Sequence, residues 1–241
     1  MAAGNFQRCL NVTLPLEGGW SDNPADPGGA TMKGITIGTF RRFHPKATKA
    51  DLKAISNDNV ATIYRTDYWG PINGESLAAG VDLATFDASV NSGVGRGKAW
   101  LAASVGGSPA DTVKKLCAKR LGFMQSLKIW KTFGKGWARR VAEIEAKGVA
   151  WAIALPGNAA VVKAVLEREA DAAGKKAGKQ AAGAGGAVVS APAANAVVDT
   201  GSVTTIVLLV IAVAAIAGVL VWRAHINKTR AAAYIAEAAA Q

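Results

Sequence analysis

From Thr200 to Trp222 the chain carries no charged side chain, and this stretch is centred on VTTIVLLVIAVAAIAGVLVW. About 20 apolar residues in a helix cross the hydrocarbon core of a bilayer, where only a helix or a closed barrel satisfies every backbone amide. Residues 203–222 are therefore expected to form a transmembrane helix, which makes the lipid bilayer one partner of this protein. The preceding stretch, residues 171–202, is dominated by Ala, Gly and polar residues with no large apolar side chain. Such a segment buries little area and is expected to be a flexible linker. Residues 223–241 follow as a short basic tail with Arg223, Lys228 and Arg230, whereas the stretch 183–202 before the helix holds no Lys or Arg. The positive-inside bias puts such a tail in the cytoplasm and the rest of the chain outside. Asn5, Gln7 and Arg8 interrupt the N-terminal apolar residues, so no signal peptide is expected there.

The 241 residues carry 28 Lys+Arg against 17 Asp+Glu, and the excess is local. Residues 1–90 hold 8 basic and 9 acidic side chains, whereas residues 91–151 hold 12 basic and 3 acidic. Half the residues are apolar, which excludes wholesale disorder. Cys9 and Cys117 are too few for a disulfide scaffold, and His44 and His225 are far apart, so no metal site is expected. The boundaries read as 6–90, a near-neutral domain; 91–170, a basic helical module; then the linker, the membrane helix and the tail.

Most of the chain has helical periodicity. Phe6, Leu10 and Leu14 mark a helix over about residues 5–16. Asp26-Pro27-Gly28-Gly29 is a turn that leads into a β-prone run at 31–39, predicting a small hairpin. Thr48 and Asp51 form a capping-box pattern. Helices are expected over 58–69, stopped by Pro71, and over 77–90. A further helix is started by Ser108 and Pro109, and another spans 137–151. The fold class is mainly α, with one hairpin, a second helical module and a C-terminal transmembrane helix.

Residues 16–36, LEGGWSDNPADPGGATMKGIT, hold the densest chemistry. Glu17 leaves an apolar helix end beside Leu16 and Trp20, surroundings that raise a carboxyl pKa as a general acid requires. Asp26, on a hydrated turn, is expected to stay ionised. Two carboxyls in unequal environments are what glycoside hydrolysis uses. A helix C-cap followed by Asx turns would place the same residues there without any chemistry.

The string Glu17-Gly18-Gly19, Asp22-Asn23-Pro24, Asp26-Pro27-Gly28-Gly29, Thr31 and Gly34-Ile35-Thr36 resembles the glycoside hydrolase family 108 muramidases. The similarity continues in Ile63-Tyr64-Arg65, Tyr68-Trp69, Phe86-Asp87, Val90-Asn91-Ser92-Gly93 and Gly136-Trp137-x-x-Arg140-Val141, and covers roughly residues 6–170. The resemblance implies a lysozyme-like fold, a peptidoglycan substrate, no cofactor and a peptidoglycan-binding module at 91–170. It places the catalytic acid at Glu17 and suggests Asp26 and Thr31 beside it, with Asp22 and Thr36 as competitors. Trp20, Tyr64 and Asn91 are candidate substrate contacts. The cations Lys114, Lys115, Lys119, Arg120, Lys128, Lys131, Lys135, Arg139 and Arg140 suit nucleic acid as well as wall polymer. With a membrane helix behind them the wall is favoured, and no specific nucleic acid is expected. The activity implied is that of an endolysin-type enzyme at the bacterial inner membrane, facing the wall; a catalytically idle wall-binding or secretion-accessory protein is the competing reading.

Overall fold

The computed structural model describes residues 4–23, 28–189 and 202–241, without the side chains of 187–189 and 202–209. The chain divides into two compact units, residues 1–134 with 147–153, and residues 135–146 with 154–241.

The first unit opens with α1 (Phe6–Thr13), which stops earlier than its periodicity suggests and passes into a 3₁₀ turn, Leu14–Leu16. Pro15 has no N–H to continue the helical ladder. The antiparallel hairpin β1 (Thr31–Met32) and β2 (Ile35–Thr36) pairs Thr31 with Thr36 and Met32 with Ile35. It leads directly into α2 (Ile37–Phe43), whose N-cap is the Thr36 hydroxyl, accepting from the Thr39 amide at 3.1 Å. α3 (Lys49–Lys53) starts with the full capping box of Thr48 and Asp51. α4 (Asn57–Tyr64) widens into one π-helical turn, Arg65–Trp69, and α5 (Val81–Ser92) starts a turn later than expected, after Gly80. α6 (Val94–Ala102) and α7 (Pro109–Gln125) follow, the latter capped by Ser108 with Pro109 in its first turn.

α5 is the axis of this unit, since every residue from Val81 to Ser89 is buried. Phe6, Trp69 and Phe86 meet edge to face at 5.5–5.9 Å between ring centres, joining α1, the π turn and α5. The polar residues of α5 are satisfied internally. Thr85 and Ser89 donate to carbonyls one helical turn back, both at 2.7 Å, and Asp82 accepts from Asn5 Nδ2 at 2.9 Å. Asp87 takes Arg120 of α7 at 2.6 Å, with both side chains wholly buried. Arg120 is therefore not part of a basic surface, and Arg140 is also buried. The boundary expected at residue 90 does not separate two bodies, because this ion pair ties α7 to α5 and Gly97 of α6 lies against Ser89.

α8 (Trp130–Ile153) is one continuous helix that begins well before the expected start at 137, and its residues 135–146 belong to the second unit. The linker expectation fails for residues 171–189, which are the second half of α9 (Ala159–Val189). Alanine is the strongest helix former, and the same small side chains that cannot fill a core let two helices approach closely. Residues 190–201 of the expected linker lie outside the described residues. The tail is no separate segment either, because α10 (Ser202–Ala239) runs through it without a break. By length and composition α10 can cross a membrane, over Val210–Ala239.

Candidate active site

Glu17 terminates the 3₁₀ turn, its amide bonded to the Leu14 carbonyl at 3.1 Å. Two glycines release the chain from that turn, Gly18 with φ +77°, and the space beside both is open. The chain then comes back to the hairpin. Ser21 and Thr31 exchange both backbone hydrogen bonds, at 2.9 and 2.8 Å, so the residues after Glu17 form a third short edge against β1. Asp26, which lies between these two residues in the sequence, is outside the described residues.

The tip of the hairpin faces Glu17. Lys33 and Gly34 both have positive φ, +50° and +74°, a conformation that glycine adopts without steric cost. A Cβ at Gly34 would lie 2.7 Å from the Tyr64 hydroxyl oxygen and 3.2 Å from both Cβ and Oε2 of Glu17. Glycine is required here twice over, by its backbone and by the close approach of the carboxylate. Tyr64 donates its hydroxyl to the Lys33 carbonyl at 2.7 Å, fixing the hairpin tip over the Glu17 side chain. Its ring is 1% exposed, packed by Tyr68 and Phe86, so Tyr64 offers no face to a ligand and contributes its hydroxyl instead. Tyr68, on the π turn, titrates above the ordinary tyrosine range. Burial is the main cause, followed by the negative charges of Asp67 and Glu17.

The other candidates are distributed around this centre. Thr31 is half-buried and donates to the Gly29 carbonyl at 3.2 Å, whereas Thr36 is engaged as the α2 cap. Asp22 is paired with Lys49 at 2.9 Å, a contact between distant parts of the sequence that no local pattern announces. Trp20 is half-buried with the Lys53 ammonium 5.7 Å from its ring centre. Asn91 accepts from Arg120 Nη2 at 3.0 Å, which makes it the partly exposed end of the buried Asp87–Arg120 pair. Lys33, whose carbonyl holds the Tyr64 hydroxyl, is a part of this centre that the sequence reading does not single out, whereas Gly34 and Tyr68 stand in its motif string without a place beside Glu17. The Gly34-Ile35-Thr36 run is visible in the sequence, but what approaches it is not.

The family model for glycosyl hydrolase 108 matches residues 10–93, which contain Glu17, the hairpin and the Tyr64–Tyr68 turn. Among solved structures, SagA of Brucella abortus aligns with 32% sequence identity and a TM-score of 0.55, over 63% of this chain and 97% of SagA. No curated protein matches the chain. Fold and similarity together define a glycoside hydrolase of the lysozyme-like, peptidoglycan-cleaving class. The chain belongs to glycosyl hydrolase family 108.

Proposed function

We propose that the protein is an N-acetylmuramidase that cleaves the β-1,4 bond between N-acetylmuramic acid and N-acetylglucosamine, with Glu17 as the general acid. The observation that carries this is the seat of Glu17. Its carboxylate is held under a hairpin tip whose position 34 must be glycine, near Tyr64 and Tyr68, and the chain leaves it through Gly18 and Gly19, where a Cβ would meet no atom within 4 Å. Glu17 protonates the leaving glycosidic oxygen while charge develops on the sugar ring. Asp26 stabilises that charge or activates the incoming water from the other face. Asp22 is the weaker candidate for this role because Lys49 already holds it. Thr31, at the start of the hairpin, orients the water, and Trp20 and Asn91 contact the glycan.

The exposed cations of the 91–170 stretch, among them Lys115, Lys119, Lys128 and Lys131, attract the peptide carboxylates of the wall, an attraction that salt screens beyond about 8–10 Å. α10 holds the enzyme at the bacterial inner membrane with its catalytic domain toward the wall, a placement suited to phage-type lysis or wall remodelling.

The test is product analysis. Full-length protein in mild detergent is incubated with purified peptidoglycan, and the released fragments are reduced with borohydride. Reduced muramic acid at the new ends is the expected result. Reduced glucosamine would assign the other glycosidic bond, and no soluble fragments would favour the idle wall-binding protein.

A further inference from the structure

The turn between α7 and α8 holds large apolar side chains out toward solvent. α7 ends at its cap Ser126, the Trp130 amide bonds to the Leu127 carbonyl at 2.9 Å, and α8 begins. The Phe133 amide reaches the Ile129 carbonyl at 3.2 Å, which sets these two side chains one helical turn apart on one face. Both residues are 52% exposed. The Trp130 ring lies along its own helix: a Cβ at Gly134 would come within 2.6 Å of it, so glycine is what leaves room for the indole. Lys128 and Lys131 are exposed and alternate with the apolar residues. No Asp or Glu occurs anywhere from Thr112 to Ala142. Residues 128–134 all belong to the first compact unit.

A lone exposed apolar side chain is ordinary on a protein surface. A phenylalanine and an isoleucine stacked on one face, interleaved with lysines and far in sequence from any carboxylate, have the composition of a segment that sits at a lipid surface. There the apolar pair enters the edge of the acyl chains, while each lysine lays its stem along them and keeps its ammonium group at the level of the phosphates. Resting on the reading of α10 as a membrane helix, which brings a bilayer to this chain, we infer that the α7–α8 turn is a second membrane contact, docking Ile129 and Phe133 on an anionic bilayer surface. α10 lies in the second unit and this turn in the first, so each compact unit has its own lipid contact. The wall polymer shares the negative charge of such a surface but offers no hydrocarbon to Ile129, which has neither a flat ring nor a polar group to give a sugar. The lysines set the preference for anionic lipid, each adding about fivefold in affinity near such a surface.

The experiment uses the full chain with an environment-sensitive fluorophore on Thr132→Cys, an exposed position between the two apolar residues, or on Val219→Cys of α10. Cys9 and Cys117 are buried, so labelling goes to the introduced thiol. Each protein is diluted from mild detergent into vesicles of phosphatidylethanolamine with phosphatidylglycerol, or of phosphatidylcholine alone. Val219 reports whether α10 enters lipid, and Thr132 reports the turn. The expected result is a rise in Thr132 emission that shallow spin-labelled lipid quenches, with a docked fraction ratio at least about fivefold higher on the anionic vesicles. Ile129→Ser combined with Phe133→Ser should abolish the rise without changing the melting profile, since both positions are half exposed. Thr132 emission at its aqueous level on anionic vesicles would overturn the inference, whatever Val219 reads. A Thr132 response to soluble peptidoglycan fragments in place of vesicles would also overturn it and assign the turn to the wall. A silent Val219 beside a responding Thr132 would overturn the α10 anchor and leave the docking turn supported, so the two failures are read separately.

Discussion

At the scale of single residues, Gly34 says most about how Glu17 is held. Its φ of +74° costs an L-residue roughly 1–2 kcal/mol, and a Cβ there would sit 2.7 Å from the Tyr64 hydroxyl oxygen. Gly34→Ala must therefore move Tyr64, the Lys33 carbonyl it binds, or Glu17 itself. Misplacing a catalytic group by about 1 Å costs about 10²-fold. Gly34→Ala is expected to lose activity by at least about tenfold while still folding, with thermal denaturation and initial cleavage rates as the measurements. Equal activity at reduced stability would show that the hairpin tip does not position Glu17. None of this packing is legible in the sequence. The Glu17-Gly18-Gly19 and Gly34-Ile35-Thr36 runs mark where the backbone is unusual, but the approach of Tyr64, from the end of α4, comes only from tertiary packing.

At the scale of elements, local chemistry is readable where it is local. The Thr48–Asp51 box, the Ser108 cap and the hairpin are each set by residues within a few positions of one another. The sequence misleads where distant residues decide. Charge counting puts Arg120 on a basic surface, yet it is buried against Asp87 of another helix. Composition makes residues 171–189 a linker, whereas alanine propensity and close packing keep α9 helical. The Asp87–Arg120 pair predicts a large asymmetry. Arg120→Met leaves Asp87 buried without its cation and should destabilise the protein by about 3–5 kcal/mol. Asp87→Leu combined with Arg120→Met should recover most of that loss in denaturant titrations. A small effect of Arg120→Met alone would mean that the pair is not what joins α5 to α7.

At the scale of the whole molecule, a family 108 hydrolase domain and a long apolar helix share one chain, and α8 runs through both compact units without a break. The fold class and the family are legible because the motif string is dense and the helical periodicity regular. How α10 ends is not, since the short tail 223–241 gives no sign that Arg230 and Tyr234 meet a carboxylate on α8. Catalysis at Glu17 remains the claim on which the function depends. The direct measurement is the rate of peptidoglycan cleavage by full-length Glu17→Gln, with circular dichroism and thermal denaturation alongside. Removal of the general acid predicts a loss of about 10²–10⁴-fold with an unchanged melting profile. A Glu17→Gln protein that folds normally and cleaves at the wild-type rate would contradict it.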